Sequence, residues 1–127
     1  MSVFPFPGLN LALATPFDGA GRIDFSRLEA NIEAYLAAGV ESFVLSSGTG
    51  MHLYLSSEES RALVERGAKV IKGRAKIIVQ TSALLIDDVI ARTKHAADCG
   101  AHGVMVLPPF FEGPTDDDEI VDFYGKV

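Results

Sequence analysis

The strongest constraint on this 127-residue chain is an alternation: short apolar runs that read as strands are followed, four times in succession, by segments with helical periodicity. From Leu9 to Thr15 the run LNLALAT is nearly continuous in apolar character, and Pro16 stops it, the pattern of a strand buried on both faces of a parallel sheet. After the turn residues Asp18, Gly19 and Gly21, Asp24 is placed to cap a helix. Its Leu28, Ile32, Tyr35 and Leu36 recur at helical spacing until Gly39 supplies a left-handed stop. Ser42 to Leu45 reads as the second strand and SSGTG as a turn. Ser56 with Glu59 then forms a capping box for a helix with Leu63, Val64, Val70 and Ile71 on one face, closed near Gly73. Lys76 to Val79 is a third strand. Ile86 to Cys99 is a third helix with Val89, Ile90, Thr93 and Ala97 inward, and Gly100 ends it. Val104 to Leu107 is a fourth strand, and PPFFEGP a loop. Thr115 is expected to cap a last helix whose first turn carries Asp116, Asp117, Asp118 and Glu119, the sign the helix dipole favours there.

Four successive βα units with crossovers of this length force parallel strands and right-handed connections. The fold class is therefore α/β, either an open doubly wound sheet or part of a closed barrel, and local pattern does not separate the two. No linker or shift of composition divides the chain, so residues 1–127 read as one domain or part of one.

Composition narrows the function. Eleven basic against 17 acidic residues give a formal net charge of -6 and a pI near 4.9, which leaves counterion release nothing to act on and argues against a nucleic-acid partner. The apolar runs are far shorter than the roughly 20 residues of a membrane helix, so no membrane span is expected. Cys99 is the one cysteine and cannot form an internal disulfide. No basic-then-apolar leader precedes the first strand, which makes a cytoplasmic location the expectation.

In a parallel α/β architecture, ligands bind at the carboxyl ends of the strands. The informative segments are then TPFD, SSGTG, QTSA and LPPFFEG. In the second of these, Ser46, Ser47, Gly48, Thr49 and Gly50 are small enough for backbone amides to approach an anion, with hydroxyls from Ser47 and Thr49 as further donors. A turn in which Gly48 and Gly50 merely serve unusual dihedrals would look the same. The dinucleotide and P-loop glycine patterns are absent. Asp116 to Glu119 suits a solvated first turn better than a metal cluster, because consecutive helical positions point in different directions. His52, His95 and His102 lack the spacing of a zinc site, so no metal and no cofactor are expected. His95 reads as a surface residue of its helix, and only His52, just past SSGTG, lies near the expected site. Cys99, at a helix end, reads as a packed small hydrophobe.

The segments ALATPFDGAGRIDFSRL, SSGTGMHLYLSSEES and GVMVLPPFF, in that order, resemble the N-terminal half of the dihydrodipicolinate synthase and N-acetylneuraminate lyase family. The resemblance covers nearly the whole chain and implies the first four βα units of a (β/α)8 TIM barrel. In that family a lysine on the sixth strand forms a Schiff base with pyruvate or another 2-oxo acid. A Thr-Thr turn holds the carboxylate, and the second tyrosine of a PYY-like turn relays protons. Position by position, Thr49 matches the second threonine, Gly48 stands where the first would be, and Ser47 precedes it. The turn is similar to the GGTGE form of members that dehydrate 5-dehydro-4-deoxyglucarate.

The resemblance thus implies part of a class I lyase or aldolase, with Ser47, Gly48 and Thr49 at the carboxylate and Phe111 on the pocket wall. Two departures stand out. Met51 replaces the usual glutamate, and Phe111, which has no titratable hydroxyl, stands at the tyrosine position next to Phe110, which reads as apolar packing. A complete barrel of this kind runs to about 250 residues. None of Lys69, Lys72, Lys76, Lys94 and Lys126 matches the Schiff-base lysine, so the chain alone is expected to be inactive. A half barrel leaves two sheet edges and its apolar strand faces uncovered, so it must associate or be unstable. The outcomes are a truncated product or fragment, a half that pairs with a complementary half barrel, or a homo-oligomer closing eight strands from two copies. The alternative function is a noncatalytic α/β module that binds an anionic small molecule or a partner through the same loops.

Overall fold

A computed structural model describes residues 6, 8–109 and 116–127. Its elements are β1 (Asn10–Ala12), α1 (Phe25–Ala37), β2 (Ser42–Leu45), a 3-10 turn (His52–Tyr54), α2 (Ser57–Ile71), β3 (Lys76–Gln80), α3 (Ile86–Asp98), β4 (Gly103–Met105) and α4 (Asp117–Lys126). The four strands form one parallel sheet in the order β1-β2-β3-β4. A doubly wound sheet reverses its strand order at a switch point. This one never does, and sequential parallel neighbours are the arrangement of a barrel wall.

The helix ends follow local chemistry. Asp24 accepts from the Arg27 amide, and Ser56 and Glu59 form the complete capping box. The cap of α4 is Asp116, whose carboxylate accepts from the Glu119 amide at 3.0 Å, one residue later than the sequence suggests. Thr115 itself lies outside the described residues, as do Phe110 and Phe111.

The core lies on one face of the sheet. Phe43 and Leu45 of β2 and Ile77 and Val79 of β3 pack against Leu28 and Ile32 of α1, Leu63, Val64, Ala68 and Ile71 of α2, and Ala96 of α3. Gly67 lets α2 close on the sheet, since a Cβ there would sit 3.1 Å from a Leu45 methyl. The register rows alternate, so Ala12, Val44, Ile78 and Gly103 stand side by side on the opposite face. That face is only partly covered: Ala12 and Ala14 are exposed, and Met105 and Leu107 are 38% and 44% exposed.

Three details differ from the sequence reading. The first strand is three residues rather than seven and is not buried on both faces, because no layer covers its inner side among the described residues. Tyr35 is exposed at the edge of the α1 stripe. On α3 the buried pair is Val89 and Ala96, and Ala97 is exposed, so the inward stripe is turned by one residue from the expected one.

At the amino ends of the strands, Phe6 closes the sheet from the inner side. A Cβ on Gly103 would lie 2.8 Å from the Phe6 ring, which explains the glycine without any unusual dihedral. A cavity of about 380 Å³ opens beside it, lined by Phe6, Glu41, Ser42, Arg74, Lys76 and His102. Ser42 and Lys76 begin their strands, so this cavity lies at the end opposite the segments expected to bind ligand.

Candidate functional site

At the carboxyl ends of the strands, side-chain hydrogen bonds tie each strand to the next. Thr15, just past β1, donates its hydroxyl to the Gly50 carbonyl at 2.7 Å. The Gln80 amide at the end of β3 donates to His52 Nε2 at 3.2 Å. The Leu107 backbone amide beyond β4 donates to the Ser82 hydroxyl at 2.9 Å. Thr81 and Thr93 share a hydroxyl hydrogen bond at 3.0 Å, and Arg92 donates to the Ser82 carbonyl, which fixes α3 to the same rim. Thr15, Ser46, Ser47, His52, Gln80, Thr81 and Ser82 are all buried. A band of buried polar groups at one end of a parallel sheet belongs to a binding site more often than to a core.

The turn after β2 is folded back on itself. Ser46 and Met51 both take positive φ, 54° and 63°, a conformation uncommon outside glycine and found where surroundings over-determine the backbone. The amides of Met51 and His52 donate to the carbonyls of Gly48 and Ser47, and Ser46 shares a hydroxyl hydrogen bond with Ser60 of α2. Gly50 has no room for a side chain: a Cβ would stand 3.0 Å from the Leu13 carbonyl and 3.2 Å from the Ser47 amide nitrogen. Gly48 is different. It is exposed, its φ is ordinary, and a Cβ on it would meet nothing within 4 Å.

Of the residues singled out from sequence, Ser47, Gly48 and Thr49 lie together in this turn, and Gly48 and Thr49 face solvent. The Ser47 hydroxyl is buried and has no hydrogen-bond partner. Phe111 lies outside the described residues. His52 is 6% exposed, and burial, reinforced by the charge of Arg92, holds its imidazole below the ordinary pKa of 6.5. With Nε2 accepting from Gln80, the ring proton belongs on Nδ1, which is buried on the side of the Ser47 backbone. The sequence pointed to the segments holding Thr15, Gln80 and Ser82 but not to these residues. Their signal was a polar residue set directly behind each apolar strand.

The other candidates sit elsewhere. His95 is not the surface residue expected: it is nearly buried on α3, 2.9 Å from Glu65 of α2 and 3.6 Å from the Cys99 sulfur. Burial and the carboxylates of Glu65 and Asp98 push the Cys99 thiol up, away from nucleophilic character. His102 accepts the Ile77 amide at the far end of the sheet. Lys69 and Lys72 close α2, Lys76 starts β3 at the end away from the turn, Lys94 is on α3 and Lys126 ends α4. Among the described residues no group of three histidine, cysteine or carboxylate side chains is placed to hold a metal ion, and no helix is long and apolar enough to cross a membrane.

Four parallel βα units in sequential order, with a tied polar rim at their carboxyl ends, define the wall and ligand-binding end of a (β/α)8 barrel. The sequence model of the Dihydrodipicolinate synthetase family matches residues 5–127, and the chain belongs to that family. It is 35% identical over 112 residues to the 4-hydroxy-tetrahydrodipicolinate synthase of Bacillus subtilis (strain 168), a match covering 88% of this chain and 39% of that protein. Its fold superposes on the crystal structure of dihydrodipicolinate synthase from Aquifex aeolicus with a TM-score of 0.89 at 28% identity, covering 96% of this chain and 42% of that one. On Proteus mirabilis N-acetylneuraminate lyase the TM-score is 0.83 at 26% identity, covering 90% and 39%. The chain spans about two fifths of the length of the relatives it matches, and its four units are those of an N-terminal half barrel.

Proposed function

We propose that residues 1–127 supply the carboxylate-binding side of a class I lyase or aldolase acting on pyruvate or a sugar-acid-derived 2-oxo acid. The observation that carries this reading is the turn after β2. It is anchored to β1 through Gly50 and to β3 through His52, and it leaves Gly48 and Thr49 open at the ligand end. Two backbone amides and one hydroxyl, held by a rigid frame, suit a small carboxylate without a metal or a cofactor. Ser47 belongs to the same receptor through its place in the turn, and Phe111 would form the pocket wall.

The covalent step needs an amine that attacks the keto carbon and expels water as the imine forms. A lysine does this at neutral pH when it is desolvated or stands beside another cation. All five lysines here are exposed, on helices or at the far end of β3, so the amine must come from a strand outside this chain. The half barrel alone is then inactive, and it associates with a completing half or with a second copy of itself. The edges of β1 and β4, which pair with no further strand among the described residues, and the partly exposed inner-face residues Met105 and Leu107 support association.

The placement of the lysines favours one other reading for the isolated chain, a noncatalytic module binding anions through the same turn. Borohydride reduction with pyruvate, followed by mass spectrometry, tests the catalytic part: the 127-residue chain should gain no mass on any lysine. A reduced adduct on one of its five lysines would overturn the assignment. Titration with pyruvate followed by amide NMR tests the receptor, and Gly48 and Thr49 should shift before other residues. Unmoved turn amides at saturating pyruvate would end both readings.

A further inference from the structure

We propose that His52 is a positioning residue for the carboxylate turn, acting through its hydrogen bond with Gln80. The inference rests on the reading of that turn as a carboxylate receptor. It starts from a placement that core packing does not explain. An imidazole on a loop outside the regular elements is 6% exposed, and its one side-chain partner, Gln80, is 5% exposed. A buried amide and imidazole joined in this way make a link between two strand ends that water cannot replace. One end of the link is β3, in the centre of the sheet and paired on both sides. The other is the turn itself, because the His52 backbone amide donates to the Ser47 carbonyl.

The Gly48–Thr49 pair sits inside the loop closed by that bond, and the Met51 amide bonds to the Gly48 carbonyl within it. A displacement of His52 is therefore carried through the backbone to the exposed residues Gly48 and Thr49. The frame also keeps the Ser47 hydroxyl buried and without a partner, at the start of the same turn. A buried group without a partner is uncommon in a settled core and marks a place where geometry is held for something other than stability. The left-handed Met51, immediately before His52, is a second such concession. Thr15 fixes the turn from the β1 side and Ser46 from α2, and the His52–Gln80 bond is its side-chain tie to β3.

The test uses the 127-residue chain with pyruvate as probe. Histidine-selective 15N NMR should show His52 with its proton on Nδ1, and Gln80→Leu should remove the accepted bond and shift the Nε2 signal. His52→Phe and Gln80→Leu should each displace the Gly48 and Thr49 amide resonances in the free protein. Each should weaken pyruvate binding by roughly tenfold, the factor that one hydrogen bond of ordinary net strength commands. His52→Gln, whose side-chain oxygen can accept from Gln80, should recover most of that loss. If the wild-type turn ignores pyruvate, the receptor reading fails and the role of His52 falls with it. If the wild type binds and the variants bind equally well, only the present inference fails. Loss of the folded spectrum in both His52→Phe and Gln80→Leu would assign the pair to folding alone and overturn it as well.

Discussion

The Thr15 hydroxyl lies 2.7 Å from the carbonyl oxygen of Gly50, a buried hydrogen bond between residues 35 positions apart that fastens the end of β1 to the turn beyond β2. The turn is packed closely enough there that a Cβ on Gly50 would stand 3.0 Å from the Leu13 carbonyl. Thr15→Val keeps the volume of the side chain and strands the acceptor. The variant should be less stable by about 1–3 kcal/mol, the cost of a buried group left unpaired. Urea denaturation would measure this, and an unchanged midpoint would show that the turn holds without its tie to β1.

Thr49 is exposed in the turn, so its hydroxyl is open to a ligand and nearly irrelevant to folding. Thr49→Val should leave the unfolding midpoint within experimental scatter. It should weaken 2-oxo-acid binding by roughly 1–3 kcal/mol in the barrel assembled from this half and its complement. Calorimetry with pyruvate checks the second figure. Equal affinity of the two proteins would remove Thr49 from the receptor.

At the opposite end, Gly103 is a glycine for steric reasons only. A Cβ at this position approaches the Phe6 ring to 2.8 Å, well inside ordinary contact. Gly103→Ala should destabilise by about 1–3 kcal/mol through overpacking, and Phe6→Leu should recover part of the loss when combined with it. A double-mutant cycle reads the coupling directly. Strictly additive effects would mean that Phe6 moves aside at no cost.

Strand–helix alternation was legible because each element carries its own signal. Asp24 and the Ser56–Glu59 box mark helix starts, and the apolar runs at Ser42–Leu45 and Lys76–Val79 form the two central strands, the first buried throughout and the second at Ile77 and Val79. Less legible was anything decided across elements. The turned stripe on α3 depends on how the helix sits over β3 and β4, where Thr93 bonds to Thr81, and no periodicity in one helix fixes that. His95 was misread as a surface residue because Glu65 and Cys99, which flank it, come from an adjacent helix and from one turn further on. The choice between open sheet and barrel wall was a question of strand order, which only the resemblance, and then the sheet itself, decided. In the site, SSGTG announced a turn that could take an anion, yet the ties that shape it are long-range: Thr15 to Gly50 and Gln80 to His52. Hydroxyls and amides behind strands are too common for their pairing to be read from one sequence.

The pH dependence of stability follows from His52. Its folded pKa lies below 6.5 because burial, and then the Arg92 charge, disfavour the imidazolium, while in the unfolded chain the ring titrates normally. As pH falls below about 6.5 the unfolded state takes up a proton that the native state refuses, so stability must decrease with falling pH. The decrease continues until the pH passes the lower native pKa, where both states are protonated and the slope vanishes. The carboxylates whose pKa values are lowered, Asp18, Glu33 and Glu59, act in a different window, because their unfolded values are already near 3.8–4.5. Their contribution is present above those values and is lost as pH falls through the lower native ones. Urea midpoints between pH 7.5 and 5 should therefore fall in the wild type and fall less steeply in His52→Gln, which has no proton to gain. Parallel curves for the two proteins would show that the buried imidazole titrates as freely in the native state as in the unfolded chain, and would contradict its enclosure against Gln80.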